Sequence, residues 1–365
     1  SFNAAQAAEG DDYKALVCVF LYGGNDYANT VVTYDDPSYN LYSAIRGGGA
    51  GQSADGIALA RSALTPTLLN PTTALAQGRQ YALHPSMTGL AGLFNIGRAA
   101  VQLNVGPLVA PLTRTQYNSA DRATWPLPPK LFSHNDQQSV WQSSSPEGST
   151  VGWGGNIGDL ALNGNSNSLF TCISVTGNAV FLSGDSALQY QVSTGGAVAI
   201  NSLKNNVYGS AAVKAAMSTL VQQTRTNLLE NEYNRVLARA VGAESQITAA
   251  LATYPSASAP SDTFPTSNSL ADQLKMVARL IAARSALGAT PQVFFVSIGG
   301  FDLHDNLIAQ HPTLLGRVSE ALTAFHNATD ALGVADKVTA FTASDFGRTL
   351  ASNGDGADHG WGSHH

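Results

Sequence analysis

The sequence predicts an α/β fold: a mostly parallel central sheet flanked by helices, with a long helical pair packed on it. Three observations carry this expectation. Residues 15–22 (A-L-V-C-V-F-L-Y), 293–298 (V-F-F-V-S-I) and 337–343 (K-V-T-A-F-T-A) are apolar, β-branched runs. Such runs suit strands buried on both faces, as in a parallel sheet. Helix-type and strand-type stretches also alternate along the chain, the pattern of βα units. Finally, each run passes into a turn carrying a carboxylate: Gly23-Gly24-Asn25-Asp26, Gly299-Gly300-Phe301-Asp302-Leu303-His304, and Ser344-Asp345-Phe346-Gly347-Arg348. Glycines let the chain turn sharply there.

Taken in order, residues 1–12 are a polar, Ala-rich lead-in. Residues 46–56 (R-G-G-G-A-G-Q-S-A-D-G) form a glycine loop without the Lys-Ser/Thr of a phosphate loop. His84 precedes Pro85 in an extended segment, which favours a packing or capping role. Met87, Leu90, Leu93 and Phe94 follow at helical spacing, and residues 99–105 (A-A-V-Q-L-N-V) read as a strand. Ser133 and Asp136 give an S-x-x-D helix start resembling a capping box, ahead of a helix through Trp141. Residues 169–175 and 179–182 read as short strands around a Gly177-Asn178 turn. Residues 208–251 form one long helical tract with Val213, Met217, Leu220, Val221, Leu228, Val236 and Leu237 on a face. A Pro/Ser linker, 254–266, separates it from a second helix capped by Ser269. A further helix is expected over 312–331. No internal repeat is visible, so residues 1–365 read as one domain, with 205–290 a helical segment packed on it.

The bulk numbers narrow the function. Charged residues are 12% of the chain, about half the usual share. A weakly charged, Asn/Ser/Thr-rich surface is common outside the cytoplasm. The net charge of −6 comes without a basic block, which argues against a nucleic-acid partner. No apolar run reaches the ~18 residues that would span a bilayer, so no transmembrane segment is expected. The small-residue start S-F-N-A-A-Q-A-A fits a mature chain after removal of an export signal. Cys18 and Cys172 fall in two different strands and read as buried thiols, with a disulfide as the alternative.

In open α/β sheets, ligands bind beyond the carboxyl ends of strands. There the sequence sets Asp26, Asp302, His304 and Asp345, followed by Asp358-His359-Gly360-Trp361-Gly362-Ser363-His364-His365. Carboxylates and imidazoles converging on one edge suit Zn²⁺, Mg²⁺, Mn²⁺ or Ca²⁺. The expected ligands are Asp26, Asp302, His304, Asp345, Asp358 and His359, with His134, His364 and His365 in reserve. That inventory would suffice for a two-metal centre acting on a phosphoryl group. Arg348 could clamp an anionic oxygen, and Ser133, at a helix N-terminus, is placed to attack an anionic ester. Each Asp, taken singly, could equally cap a turn or helix. Trp125, Trp141, Trp153 and Trp361, near loops, raise a weaker carbohydrate-binding alternative.

The motifs G-G-N-D, S-H-N-D-Q-Q-S-V-W-Q, G-G-F-D-L-H, S-D-F-G-R-T and D-H-G-W-G-S-H-H resemble the DUF1501 family of exported bacterial proteins, over about residues 15–365. That family is similar to the alkaline phosphatase and sulfatase superfamily. The resemblance implies an alkaline-phosphatase-like fold, twin-arginine export to a periplasmic or secreted location, and one or two divalent metals beyond the strand ends. It implies Asp26, Asp302, His304, Asp345 and His359 as ligands and Ser133 as nucleophile. The substrate would be a small anionic ester or a sulfated or phosphorylated glycan. The chain departs from the superfamily in two places: one residue, not three, separates Asp302 from His304, and Phe346 rather than His follows Asp345. A one-metal site, or a fold that keeps a degenerate site without catalysis, is the alternative these departures leave open.

Overall fold

The computed structural model of the chain describes residues 13–47, 56–254 and 263–365. The lead-in lies outside the described residues, as do most of the glycine loop and of the Pro/Ser linker.

Among the described residues eight strands form, in chain order: β1 Lys14–Leu21, β2 Val31–Thr33, β3 Tyr81–Leu83, β4 Cys172–Ser174, β5 Gln189–Ser193, β6 Gly196–Ala197, β7 Pro291–Ile298 and β8 Val338–Ser344. Six of them make a sheet in the order β6-β5-β4-β7-β1-β8, parallel except for the β5–β6 pair. β2 and β3 form a separate antiparallel pair. The three runs singled out in the sequence are therefore neighbours, β7-β1-β8. Their register puts Leu21 level with both Ile298 and Ser344. The three strands end at the same height, which places their Asp-bearing turns side by side.

The helices of eight or more residues are α1 Asp36–Ile45, α2 Thr88–Asn95, α3 His134–Ser143, α4 Trp153–Ala161, α5 Ala211–Gln222, α6 Leu228–Ala252, α7 Ser269–Ala282 and α8 Leu307–Ala331. They cover both faces of the sheet. Side chains along a strand alternate between faces. Val17, Val19 and Leu21 of β1 join Phe294, Val296 and Ile298 of β7 under α7 and α8. Cys18, Phe20, Val293 and Phe295 face the other way, against Phe181 and the Trp141 and Trp153 rings of α3 and α4. Each fully buried Phe of these layers contributes roughly 1.5–3 kcal/mol.

Several local expectations are corrected. Residues 99–105 are not a strand: Asn104 takes a left-handed φ of 57°, and the backbone makes only isolated pairs, Gln102 with His365 and Val105 with Ser363. Residues Val180–Leu182 form a 3-10 turn that seats Phe181 on Trp153, ring centroids 4.6 Å apart. The strand expected over 169–175 shortens to β4, preceded by a 3-10 turn, Ser168–Phe170. The long helical tract breaks into α5 and α6 because Asn227 caps the second helix, accepting from Leu229 and Glu230 N–H. Asn268, not Ser269, caps α7. The helix expected from Pro312 begins at Leu307 and keeps Pro312 inside it. Of the expected helical pair, α7 packs chiefly on α8 and β7, and only the C-terminal end of α6 joins it in the core.

Cys18 and Cys172 are both free and buried. β7 lies between their strands and they sit two residues out of register. Two strand spacings, about 9–10 Å, exceed the ~7 Å Cα limit of a disulfide.

His84 is a packing residue. It is buried, its Nδ1 accepts from Ser86 N–H at 3.0 Å, and its ring lies edge-on to His311. Burial pushes its pKa down to about 4. Between about pH 6.5 and 4 the unfolded chain binds a proton that the folded chain refuses. Stability therefore rises with pH across that window and is lost as pH falls through it. Urea midpoints measured at pH 7 and 4.5 are expected to show this loss. His84→Gln should flatten the slope by about one proton, ~1.4 kcal/mol per pH unit; an unchanged slope would refute the assignment.

Candidate functional site

The turns after β1, β7 and β8 approach so closely that glycine is required. Gly23 and Gly24 have φ of 115° and 82°. A Cβ on Gly23 would strike the Asp302 backbone, and one on Gly24 the Phe346 ring. Arg348 ties the turns together from beneath. Its Nε donates to Gly24 O (2.8 Å) and Phe301 O (3.2 Å), its Nη1 to Ala357 O (2.5 Å), and its Nη2 to Gly23 O (2.7 Å) and Asp302 Oδ1. This side chain is wholly buried. The expectation that Arg348 clamps a substrate oxygen is thus corrected: backbone carbonyls and Asp302 occupy its donor fork, and it works as an internal strut.

Above the strut, three imidazoles surround one carboxylate. His304 Nε2 stands 3.1 Å and His359 Nε2 3.4 Å from Asp302 Oδ1, while His134 Nε2 stands 3.5 Å from Asp302 Oδ2. His304 and His359 bring their Nε2 atoms within 2.9 Å of each other. The opposite ring nitrogen of each is held by an oxygen: His134 Nδ1 by Asp345 Oδ2 (2.7 Å), His304 Nδ1 by Asp358 Oδ1 (3.3 Å) and His359 Nδ1 by the Phe132 carbonyl (2.7 Å). A carbonyl can only accept, and an ionised carboxylate likewise. The proton of each neutral ring therefore belongs on Nδ1, and the Nε2 lone pairs converge.

Lone pairs facing one another at 2.9 Å repel unless a proton or cation lies between them. A centre with bonds of about 2.0–2.2 Å to four or six donors has donor–donor edges of about 2.8–3.6 Å, a range that takes in the 2.9 Å between the two Nε2 atoms and the 3.1–3.5 Å from each imidazole to Asp302. Among the described residues, His134, Asp302 and His359 form the group able to hold a metal ion, with ligand atoms within 4.8 Å of one another. His304 flanks that group on its exposed side, its Nε2 2.9 Å from His359 Nε2 and 3.1 Å from Asp302 Oδ1.

Electrostatics favour the anionic carboxylates. Burial alone would raise the Asp302 pKa, but the hydrogen bond and charge of Arg348, with His134 and His304, bring it below the usual carboxylate value. The hydrogen bond from Asn353 holds Asp358 low, helped by His304 and His359.

Not every candidate joins the cluster. Asp345 is fully buried behind His134; its Oδ2 accepts from Gly23 N–H (3.2 Å), Gln138 Nε2 (2.9 Å) and His134, so it holds the His134 ring in place from behind the cluster. Asp358 does the same for His304. Asp26 is a buried ion pair with Arg46 Nη2 at 2.5 Å, both side chains enclosed. Burial pushes its carboxyl pKa up, with Arg46 and Arg348 opposing. Arg46 and His134 thus each engage one oxygen of the first- and third-strand carboxylates, while Asp26 Oδ1 and Asp345 Oδ1 are buried without a hydrogen-bond partner; neither carboxylate joins the group formed by His134, Asp302 and His359. Ser133 begins α3, but its hydroxyl donates to Asp136 Oδ2 at 2.8 Å and accepts from no backbone N–H. His364 and His365 lie elsewhere. His364 Nδ1 accepts from Asn104 N–H (3.1 Å), and His365 Nδ1 contacts Thr342 Oγ1 (3.1 Å) while its ring meets Trp141 edge-on.

Sequence reading did not single out the Phe132 carbonyl, Gln138, Asn353, Arg46 or the Phe346 ring. Gln138 is in the S-H-N-D-Q-Q motif and could have been found there. Phe132 carries a left-handed φ of 74°, a costly conformation for Phe that no local pattern announces. Phe346 backs the cluster, its ring 4.4 Å from His359 and 4.9 Å from His134.

Fold and site together define an α/β protein with a His₃Asp cluster at the carboxyl edge of a mostly parallel sheet. Residues 13–365 match the family described as "Protein of unknown function (DUF1501)", and the chain belongs to it. No curated protein and no solved structure matches the chain.

Proposed function

We propose that this chain is an exported, metal-dependent hydrolase of phosphate or sulfate esters, working with one divalent ion at Asp302, His134, His304 and His359. The observation that carries this reading is that all three imidazoles are fixed at Nδ1 by an oxygen and turn Nε2 to the same carboxylate. Metal-binding histidines characteristically donate the opposite ring N–H to such a partner. Three nitrogen donors suit zinc better than magnesium or calcium. A divalent ion there would supply Lewis acidity toward an ester oxygen.

The residues around the cluster fit an anionic substrate. α3 starts at His134, so its first N–H groups face the site without intrahelical partners. Ser133 is bracketed in the chain by Phe132, whose carbonyl holds His359, and by His134. In this reading its Oγ attacks the phosphorus or sulfur while its proton passes to Asp136 Oδ2; the bond to the ester oxygen breaks and the departing alcohol takes that proton, and water then cleaves the seryl ester, releasing phosphate or sulfate and restoring Ser133. A sheet edge carrying Asp and His beyond parallel strands also supports kinship with the alkaline phosphatase and sulfatase fold. The low share of charged residues supports a periplasmic or secreted location.

Elemental analysis of the purified protein, followed by a panel of aryl phosphates and sulfates with and without chelator, tests the proposal. About one metal per chain and chelator-sensitive hydrolysis are expected. Metal without turnover would favour a non-catalytic metal-binding protein, a reading that the engagement of Asp26 and Arg348 in internal pairs also supports. Neither metal nor turnover would sink both.

A further inference from the structure

α5 and the first half of α6 form a hairpin that stands off the core. α5 buries none of its residues. The first half of α6 buries only Asn234, whose Nδ2 donates to the Leu220 and Gln223 carbonyls of the α5 side (3.2 and 2.7 Å). The second half is anchored, with Ala243, Ile247, Ala250 and Leu251 in the main core. Yet the standing-off half is not polar. Leu229 is 83%, Tyr233 64% and Val236 44% exposed. With Ala240 they are spaced four, three and four residues apart, one stripe along the helix and the a/d spacing of a helix–helix seam. Leu229, Tyr233 and Val236 are exposed, and Ala240, where the stripe nears the anchored half, is partly buried.

We infer that this stripe is the interface of a symmetric dimer, in which α6 packs antiparallel on α6 of a second copy of this chain. Charge decides the occupant and the direction. Asn234 marks the flank turned to α5; the opposite flank carries Glu232, Arg235 and Arg239. In a two-fold antiparallel pair, equal flanks face each other with the direction reversed. The stripe's midpoint falls between Tyr233 and Val236, so Leu229 meets the partner's Ala240. Glu232 comes level with the gap between the partner's Arg235 and the partner's Arg239, and the contact repeats by symmetry. A parallel pair would set the charged flank against the α5 side and leave Glu232 without an intermolecular cation. Within one chain Glu232 already reaches Arg235 at 3.1 Å, but that pair is exposed and free to be shared.

Sedimentation equilibrium of the whole chain across the micromolar range tests this, with circular dichroism to confirm folding. The wild type is expected to dimerise, and Tyr233→Asp to weaken the dimer tenfold or more. Glu232→Arg and Arg239→Glu are each expected to weaken it, and the double exchange to restore it. Residues 232 and 239 lie about 10.5 Å apart along one helix, too far to compensate each other within it, so restoration requires two helices face to face. A monomeric wild type, a dimer indifferent to Tyr233→Asp, or a double variant no tighter than the single ones would overturn the inference. It does not depend on the metal centre, whose failure would leave it standing.

Discussion

Asp302→Ala is expected to abolish metal binding while leaving the chain folded. Asp302 is the common neighbour of His134, His304 and His359, through two different oxygens. Without it, the three imidazoles lose the negative charge that draws a cation between them. The stability cost should stay below that of losing Arg348, because the Asp302 side chain is 47% exposed and four backbone carbonyls still hold the enclosed guanidinium. Asp345→Asn makes the informative comparison. It leaves the first layer of donors intact but removes the anion that holds His134, and losses of about 10–100-fold in metal affinity are typical of such outer partners. Calorimetric titration with zinc should therefore rank wild type, then Asp345→Asn, then Asp302→Ala with no measurable binding. A variant Asp302→Ala that still takes up one equivalent would disprove the centre described here.

Arg348→Ala should instead strongly destabilise the protein. The guanidinium is enclosed and bonds the carbonyls of Gly23, Gly24, Phe301 and Ala357 besides Asp302. Truncation leaves those carbonyls to find new partners in a space too tight for an orderly solvent shell. Breaking a buried charged network of this kind costs about 3–5 kcal/mol, set against a whole-domain stability of roughly 5–15 kcal/mol. Arg348→Lys keeps the charge but not the planar fork, so it can satisfy only part of the set and should fall between. Urea midpoints for the three proteins provide the check. If Arg348→Ala matched the wild type in stability and lost only hydrolysis, Arg348 would be a substrate clamp and not a strut.

These two variants separate what the motifs suggested together. Asp302 and Arg348 both stood at strand ends and both read as site residues. The structure gives one the exposed centre and the other the buried foundation. Similarly, His134 read as a reserve ligand, whereas its Nε2 faces the cluster and its Nδ1 takes up the Asp345 carboxylate that had been assigned to the metal. Ser133 kept its place at a helix start, but its capping-box partner took the hydroxyl directly.

The errors in secondary structure have a related origin. Residues 99–105 have strand composition, yet a strand needs a continuous neighbour, and this segment finds only isolated pairs, Gln102 with His365 and Val105 with Ser363. The break before α6 was signalled by Asn227, whose capping power outweighed the continuous apolar spacing on either side.

What the sequence determined by itself was the set of three apolar strands, their glycine-bearing ends and the stock of Asp and His beyond them, because burial on two faces and sharp turns write themselves into short, contiguous stretches. Which of those groups share a pocket was decided only in three dimensions. Arg46 captures Asp26, His134 captures Asp345 across 211 residues, and Asp302 is left to three imidazoles. Pairing of charge and lone pair acts over a few ångströms through space, and local sequence spacing holds no record of it.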